Sequence, residues 1–241
     1  MRLQTMLHAV FPPECLNCGA RVESDFAICG SCWADTPFIL GASCDLCGVA
    51  LPGQAADDEA LICEECHQIA RPWSAGRAVM GYGGVGRRLV LGLKHGDRAE
   101  IARASGPWLA RVGADLVRGA PLLVPIPLHW RRLAQRRYNQ SALLAQAFGR
   151  EAGVEVAPQA LLRVRATPSQ DGRDREARFR NLTDAIRPHP RHGDCLKGRD
   201  IVLVDDVMTS GATFAAATEA CRMAGAKEIG VIALARVSRD A

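Results

Sequence analysis

Two groups of residues in this sequence have types and spacings that can do chemistry. The first is eight cysteines in four pairs, each pair separated by two residues: Cys15 and Cys18, Cys29 and Cys32, Cys44 and Cys47, Cys63 and Cys66. That spacing lets both thiolates of a tight turn face one ion, and two such turns complete a tetrahedral zinc site. Gly19 and Gly48 each follow the second cysteine of a pair, where such a turn often needs positive φ. Disulfides are the competing use of these cysteines, and they belong to oxidising compartments. Sequential pairing gives one site from Cys15, Cys18, Cys29 and Cys32 and a second from Cys44, Cys47, Cys63 and Cys66; crossed pairing would interleave them. The short gaps of 10 and 15 residues inside the sequential sites favour two stacked zinc ribbons. Four thiolates leave no open position for water, so both zincs are expected to be structural. A module this small buries little apolar surface, and zinc must supply much of its folding free energy.

The second group is Ile201-Val202-Leu203-Val204-Asp205-Asp206-Val207-Met208-Thr209-Ser210-Gly211-Ala212-Thr213. Four apolar residues read as a buried parallel strand. Two carboxylates follow at its end, then a turn of hydroxyl residues and glycine, then an alanine-rich helix from Phe214 to Ala224. A helix N-terminus offers free N–H groups and a positive dipole end, which suit a phosphate. Thr209, Ser210 and Thr213 add hydroxyl donors, and Gly211 permits close backbone approach. Asp205 and Asp206 would repel the phosphate; they suit ribose hydroxyls just behind it. A 5-phosphoribosyl group would use all of these features, and Asp205 and Asp206 are the candidate catalytic residues. A strand-turn-helix corner with two solvated aspartates is the plainer alternative.

Further groups extend this site. Lys94-His95-Gly96-Asp97 combines an ammonium, a tight glycine turn and backbone donors, as a pyrophosphate loop would; the alternative is a helix C-cap ending in glycine. Pyrophosphate travels with Mg²⁺, a hard ion that takes few protein ligands. Arg131, Arg132, Arg136 and Arg137 would form one broad basic surface on a helix, with Trp130 and Tyr138 as stacking faces for bases and Asn139 and Gln140 following. Gln170, Arg175 and Arg178 form a second group of candidate phosphate or nucleic-acid contacts. A solvated face is the alternative for both groups. Between Arg131 and Arg191 the chain carries 13 Arg against 6 acids, more than solubility needs. His189 and His192 have no carboxylate or cysteine spaced to make a metal site, and Cys221 reads as packed.

The elements that must hold these groups are strands and helices in alternation. Strands are expected at Arg77 to Tyr82, Leu122 to Ile126, Leu161 to Val164, Ile201 to Val204 and Ile229 to Leu234. Gly83 to Gly86 reads as a turn. Helices are expected at Arg87 to Lys94, Ile101 to Val112 and Asn139 to Ala152. Asp174 to Asn181 reads as a short basic helix or a loop, and Arg71 to Ser74 as a linker. Such alternation predicts an α/β fold with a doubly wound, mainly parallel sheet, and the ligand then belongs at the carboxyl ends of the strands. The domain expectation is a double zinc ribbon over residues 1–70 and an α/β domain over 76–241.

Charge divides the chain in the same place. Residues 1–75 carry 3 Arg against 10 acids, and residues 76–241 carry 27 Lys and Arg against 16 acids, within a net charge of +4. A basic body suits polyanions, either phosphorylated small molecules or nucleic acid. The acidic ribbons argue against a primary DNA-binding surface there. With no run of 18 apolar residues, no membrane span is expected. Met1 to Phe11 lacks a signal-peptide cleavage pattern and suits a short docking helix, so the expected compartment is the cytoplasm.

Val204 to Thr213 resembles the phosphoribosyl pyrophosphate (PRPP) signature of type I phosphoribosyltransferases. Val124-Pro125-Ile126-Pro127-Leu128-His129-Trp130-Arg131-Arg132, then Arg136-Arg137-Tyr138-Asn139-Gln140-Ser141, is similar to the hallmark of the ComF family of competence proteins. Ser169-Gln170, Arg175, Arg178 and Asn181-Leu182 also match, in family order with the cysteine pairs and the Lys94 segment. The resemblance covers nearly the whole chain. It implies a type I phosphoribosyltransferase-like fold behind two zinc ribbons, with Asp205, Asp206, Thr209, Ser210, Gly211, Ala212 and Thr213 on PRPP. Lys94 to Asp97 would form the first active-site loop. It further implies contact with single-stranded DNA in DNA uptake. A separate reading makes the zinc module a protein-docking adaptor, for DNA-uptake or recombination proteins. The alternative function is a metabolic phosphoribosyltransferase acting on a base or amine. No stretch stands out as a hood that would identify a nucleobase.

Overall fold

The structure is a computed structural model that describes residues 11–53, 60–95, 98–165 and 185–238. In chain order, the ribbons contribute α1 (Gly30–Ala34) and α2 (Glu64–Gln68). Then follow β1 (Ala75–Gly81), α3 (Gly84–His95), α4 (Glu100–Val112), β2 (Leu122–Pro125), α5 (Trp130–Arg136) and α6 (Gln140–Ala152). The chain continues with β3 (Leu161–Arg163), β4 (Ile186–Pro188), β5 (Ile201–Met208), α7 (Ala212–Met223) and β6 (Ile229–Arg236). The main sheet has the order β1-β6-β5-β2, with every pairing parallel. β3 and β4 form a separate antiparallel pair, a partnership that the alternating pattern did not foretell.

A parallel sheet needs cover on both faces, and the strand sequences supply apolar residues to both. Ile201 and Leu203 of β5 pack on one side with Phe214, Ala217 and Cys221 of α7. Val202 and Val204 pack on the other with Leu89 and Leu93 of α3, Leu109 of α4 and Phe148 of α6. β6 is buried along its whole length. The expected fold class is therefore the observed one. Most boundaries shift by one or two residues from the sequence reading, and two of the differences bear on the site. β5 runs on through Asp205 and Asp206 to Met208, because both carboxylates find partners inside the protein. α3 begins at Gly84, inside the glycine run read as a turn.

The ribbons are not a tethered appendage. Segment 37–39 pairs with the free edge of β1: the Ile39 amide donates to the Val79 carbonyl and the Gly81 amide to the Pro37 carbonyl. The second ribbon joins the α7 side of the core through its cysteines and Trp73. Leu16 of the first joins the α3 side, and Arg98 donates to the Leu16 carbonyl at 2.8 Å. Arg71 to Ser74, read as a linker, instead includes a buried Trp73 whose indole donates to the Leu46 carbonyl. Among the described residues no helix is long and apolar enough to cross a membrane.

Candidate functional site

The cysteines gather sequentially. The sulfurs of Cys15, Cys18, Cys29 and Cys32 lie within 4.8 Å of one another, and so do those of Cys44, Cys47, Cys63 and Cys66. The sulfurs of Cys18 and Cys29, and of Cys47 and Cys63, are 3.7 Å apart. A disulfide would bring them to about 2 Å, whereas thiolates on a tetrahedral zinc, with Zn–S of about 2.3 Å, sit roughly 3.8 Å apart. Backbone amides point at the sulfurs, from Cys29 to Cys15 and from Cys63 to Cys44, each at 3.3 Å. Gly19 and Gly48 adopt φ of 74° and 68°, the conformation the turns were expected to require. The donor set fits two structural zinc ions held by thiolates alone.

The second site lies at the carboxyl end of β5. Asp206 is 3% exposed, and its Oδ1 meets the Lys94 ammonium from the last turn of α3 at 2.9 Å. Its Oδ2 is buried and accepts no hydrogen bond from the described residues. Asp205 accepts from the Ser141 hydroxyl at 2.7 Å and from the Asp206 amide at 2.9 Å. Burial, and then the neighbouring Asp206 carboxylate, push the Asp205 pKa up to about 7, against the pull of the Ser141 hydroxyl and the Lys94 charge. Ser141 is set by the cap of α6: the Asn139 side chain accepts from the Ser141 amide and donates to the Ile126 carbonyl, both at 3.0 Å.

Thr209 is exposed, and Ser210 and Thr213 are half-buried, around the start of α7. Gly211 caps that helix at φ 80°. A Cβ there would fall 3.0 Å from both Arg71 Nη1 and the Trp73 ring, so backbone conformation and space both call for glycine. Ala212 opens the helix and is buried. Lys94 thus reaches the acidic pair, and α3 ends one residue later at His95. Gly96 and Asp97 lie outside the described residues, as do Gln170, Arg175, Arg178 and the segment from Asp174 to Asn181.

The basic block is a helix, as its candidate role required. His129 caps α5, and Arg137 ends it with φ 65°. Trp130 is 65% exposed, with the Arg131 guanidinium 5.3 Å from its ring centre. Tyr138 is turned inward and donates its hydroxyl to the Leu93 carbonyl at 2.7 Å. Asn139 is occupied as a cap and Gln140 is buried, so the exposed aromatic on this surface is Trp130. Burial and the nearby Arg136 lower the Arg132 pKa. Burial lowers that of Arg163, and the Arg132 charge adds to the effect. Arg163, on β3, feels the charges of both Arg132 and Asp205. Nothing in the sequence marked Arg163. Ser141 stood in the quoted motif without a role. Cys221 is buried, as expected.

Comparison with known proteins places two families along the chain. Residues 6–67 match the double zinc ribbon domain family. Residues 156–241 match the phosphoribosyl transferase domain family. The chain is 32% identical to the DNA utilization protein YhgH of Escherichia coli K12 over 224 residues, 86% of this chain and 97% of that one. It is 33% identical to its Salmonella typhi counterpart over the same shares. It is also 33% identical to competence protein F of Haemophilus influenzae over 95% of this chain and 93% of the relative.

Proposed function

Since this chain belongs to the family of competence protein F and the DNA utilization protein YhgH, we propose that it binds PRPP, or a related phosphoribosyl ligand, at the β5–α7 corner. We further propose that it contacts single-stranded DNA along α5, in the uptake and use of DNA in the cytoplasm. The observation that carries the first part is Asp206 Oδ2, a buried acceptor without a donor among the described residues. It lies just ahead of the hydroxyl-rich start of α7. A buried acceptor left unmade is costly, and a ribose hydroxyl would satisfy it. The 5-phosphate would take the N-terminus of α7 with Thr209, Ser210 and Thr213. The pyrophosphate, carried with Mg²⁺, would lie toward Lys94. The second part is supported by exposed Trp130 beside Arg131, Arg132 and Arg136, a stacking face set among cations.

Calorimetric titration with Mg²⁺ and PRPP tests the ligand site. Asp206→Asn is expected to weaken binding about 10- to 100-fold, the range for losing a hydrogen bond to a charged group. Replacing both Asp205 and Asp206 by Asn is expected to abolish binding while the fold persists. Unchanged affinity in the double variant would remove these residues from the site. On the DNA side, reversing Arg131, Arg132, Arg136 and Arg137 to Glu should weaken binding of a single-stranded oligonucleotide. The plot of log affinity against log salt should also become shallower, by roughly 0.7 for each DNA phosphate that is no longer neutralised. If affinity and slope both stay put, α5 is a solvated face. Measuring PRPP-dependent pyrophosphate release with a panel of bases and amines separates a binding role from a transferase.

A further inference from the structure

Two buried arginines join the second cysteine tetrad to the β5–α7 loop. Arg71, its side chain 1% exposed, donates from Nε to the Cys66 sulfur at 3.2 Å and from Nη1 to the Ser210 carbonyl at 2.8 Å. Arg236, 2% exposed, donates from Nη1 to the carbonyls of Thr209 at 2.6 Å and Met208 at 3.3 Å. Its Nη2 reaches the Cys47 sulfur at 3.8 Å. Glu65, between the two cysteines of the last pair, holds both guanidiniums, Arg71 at 3.2 Å and Arg236 at 3.0 Å. Three consecutive carbonyls, Met208 at the end of β5 and Thr209 and Ser210 in the loop, therefore accept from side chains that also reach the cysteine sulfurs.

The arrangement is specific to one tetrad. The first tetrad's described side-chain partners are the neutral Asn17, on Cys32 at 3.1 Å, and Ser31, on Cys29 at 3.2 Å. The first ribbon also packs on the far side of the sheet, with Leu16 among the residues of the α3 side. Four thiolates around a dication carry net negative charge, which two guanidiniums complement. The planar, always charged fork of arginine transmits position in a way that a flexible lysine would not.

We infer that the second zinc cluster positions the phosphate-binding loop: Arg71, Arg236 and Glu65 couple metal occupancy at Cys44, Cys47, Cys63 and Cys66 to the placement of Met208, Thr209 and Ser210. They are positioning residues. The inference rests on the proposed phosphoribosyl site for its ligand, though not for the coupling itself. Coupling between two sites is reciprocal. Ligand at the loop retains zinc in the second tetrad, and disturbing the loop loosens that zinc.

The experiment uses the zinc-loaded, full-length protein and a zinc chelator, following alkylation of each cysteine by peptide mass spectrometry. Gly211→Ala pushes a methyl group toward Arg71 and Trp73. Without any ligand, it is expected to speed alkylation of Cys44, Cys47, Cys63 and Cys66 about fivefold and leave Cys15, Cys18, Cys29 and Cys32 at the wild-type rate. In the wild type, Mg²⁺ with PRPP should slow the second set severalfold and not the first. Glu65→Gln keeps every metal ligand; with two zincs per chain it should bind PRPP about tenfold more weakly. Equal rates for Gly211→Ala and wild type, or equal acceleration of both tetrads, would overturn the coupling. So would wild-type PRPP affinity in Glu65→Gln where the wild type binds. A wild type that does not bind PRPP at all, with selective loosening in Gly211→Ala, sinks the ligand assignment and leaves the coupling standing.

Discussion

Asp205 shows what it costs to hold two carboxylates side by side. In the unfolded chain it titrates near 3.8, and in the folded protein, through burial and then Asp206, near 7. Between those values the folded protein keeps a proton that the unfolded chain has lost, so stability falls as pH rises through that window and levels off above it. Below the window both states are protonated and the penalty is gone. Asp205→Asn keeps an acceptor for the Ser141 hydroxyl and removes the charge. Its expected effect is a melting temperature several degrees above wild type at pH 8, with the difference shrinking toward zero at pH 4. Thermal melts across that range check this, and a difference independent of pH would assign the charge no such cost. A variant that gains stability while losing PRPP would mark Asp205 as kept for binding.

At the level of elements, the placement of the acidic pair depends on the start of α6. Asn139 bonds the Ser141 amide and the Ile126 carbonyl at once, tying the helix to the end of β2. Asn139→Ala is expected to cost about 1 kcal/mol in a denaturant melt, the usual worth of an N-cap. It should also weaken PRPP binding by releasing the Ser141 hydroxyl from Asp205; unchanged affinity would separate the cap from the site. The alternation of strands and helices was legible because Ile201 to Val204 and Leu122 to Val124 are unbroken apolar runs, while the helix stripes recur at helical spacing. The full length of β5 was not, because a pattern reading ends a buried strand at the first charge. Only the fold reveals that Ser141 and Lys94 wait there. The β3–β4 pair is too short to show a period. Arg71 and Trp73 looked like linker because their burial comes from partners far along the chain, Ser210 among them. The cysteine spacing, by contrast, carried its meaning locally and proved a faithful guide.

For the molecule as a whole, the two metal centres and the sheet share one structure. Cys44, Cys47, Cys63 and Cys66 belong to the same core as α7 and β5. Stripping zinc from the intact protein should therefore lower the melting temperature of one common transition by more than about 10 °C, since structural zinc contributes folding free energy outright. Calorimetry that instead left an α/β transition unmoved would show two independent units. The pairing of segment 37–39 with β1 also bears on synthesis. β1 takes its place beside β6, which leaves the ribosome roughly 150 residues later, and domains fold as they emerge. Until then β1 is a strand without a neighbour on either side, except for the ribbon already made. A ribbon that closes first is therefore expected to shelter one edge of β1 during translation, until the partner strand arrives on the other.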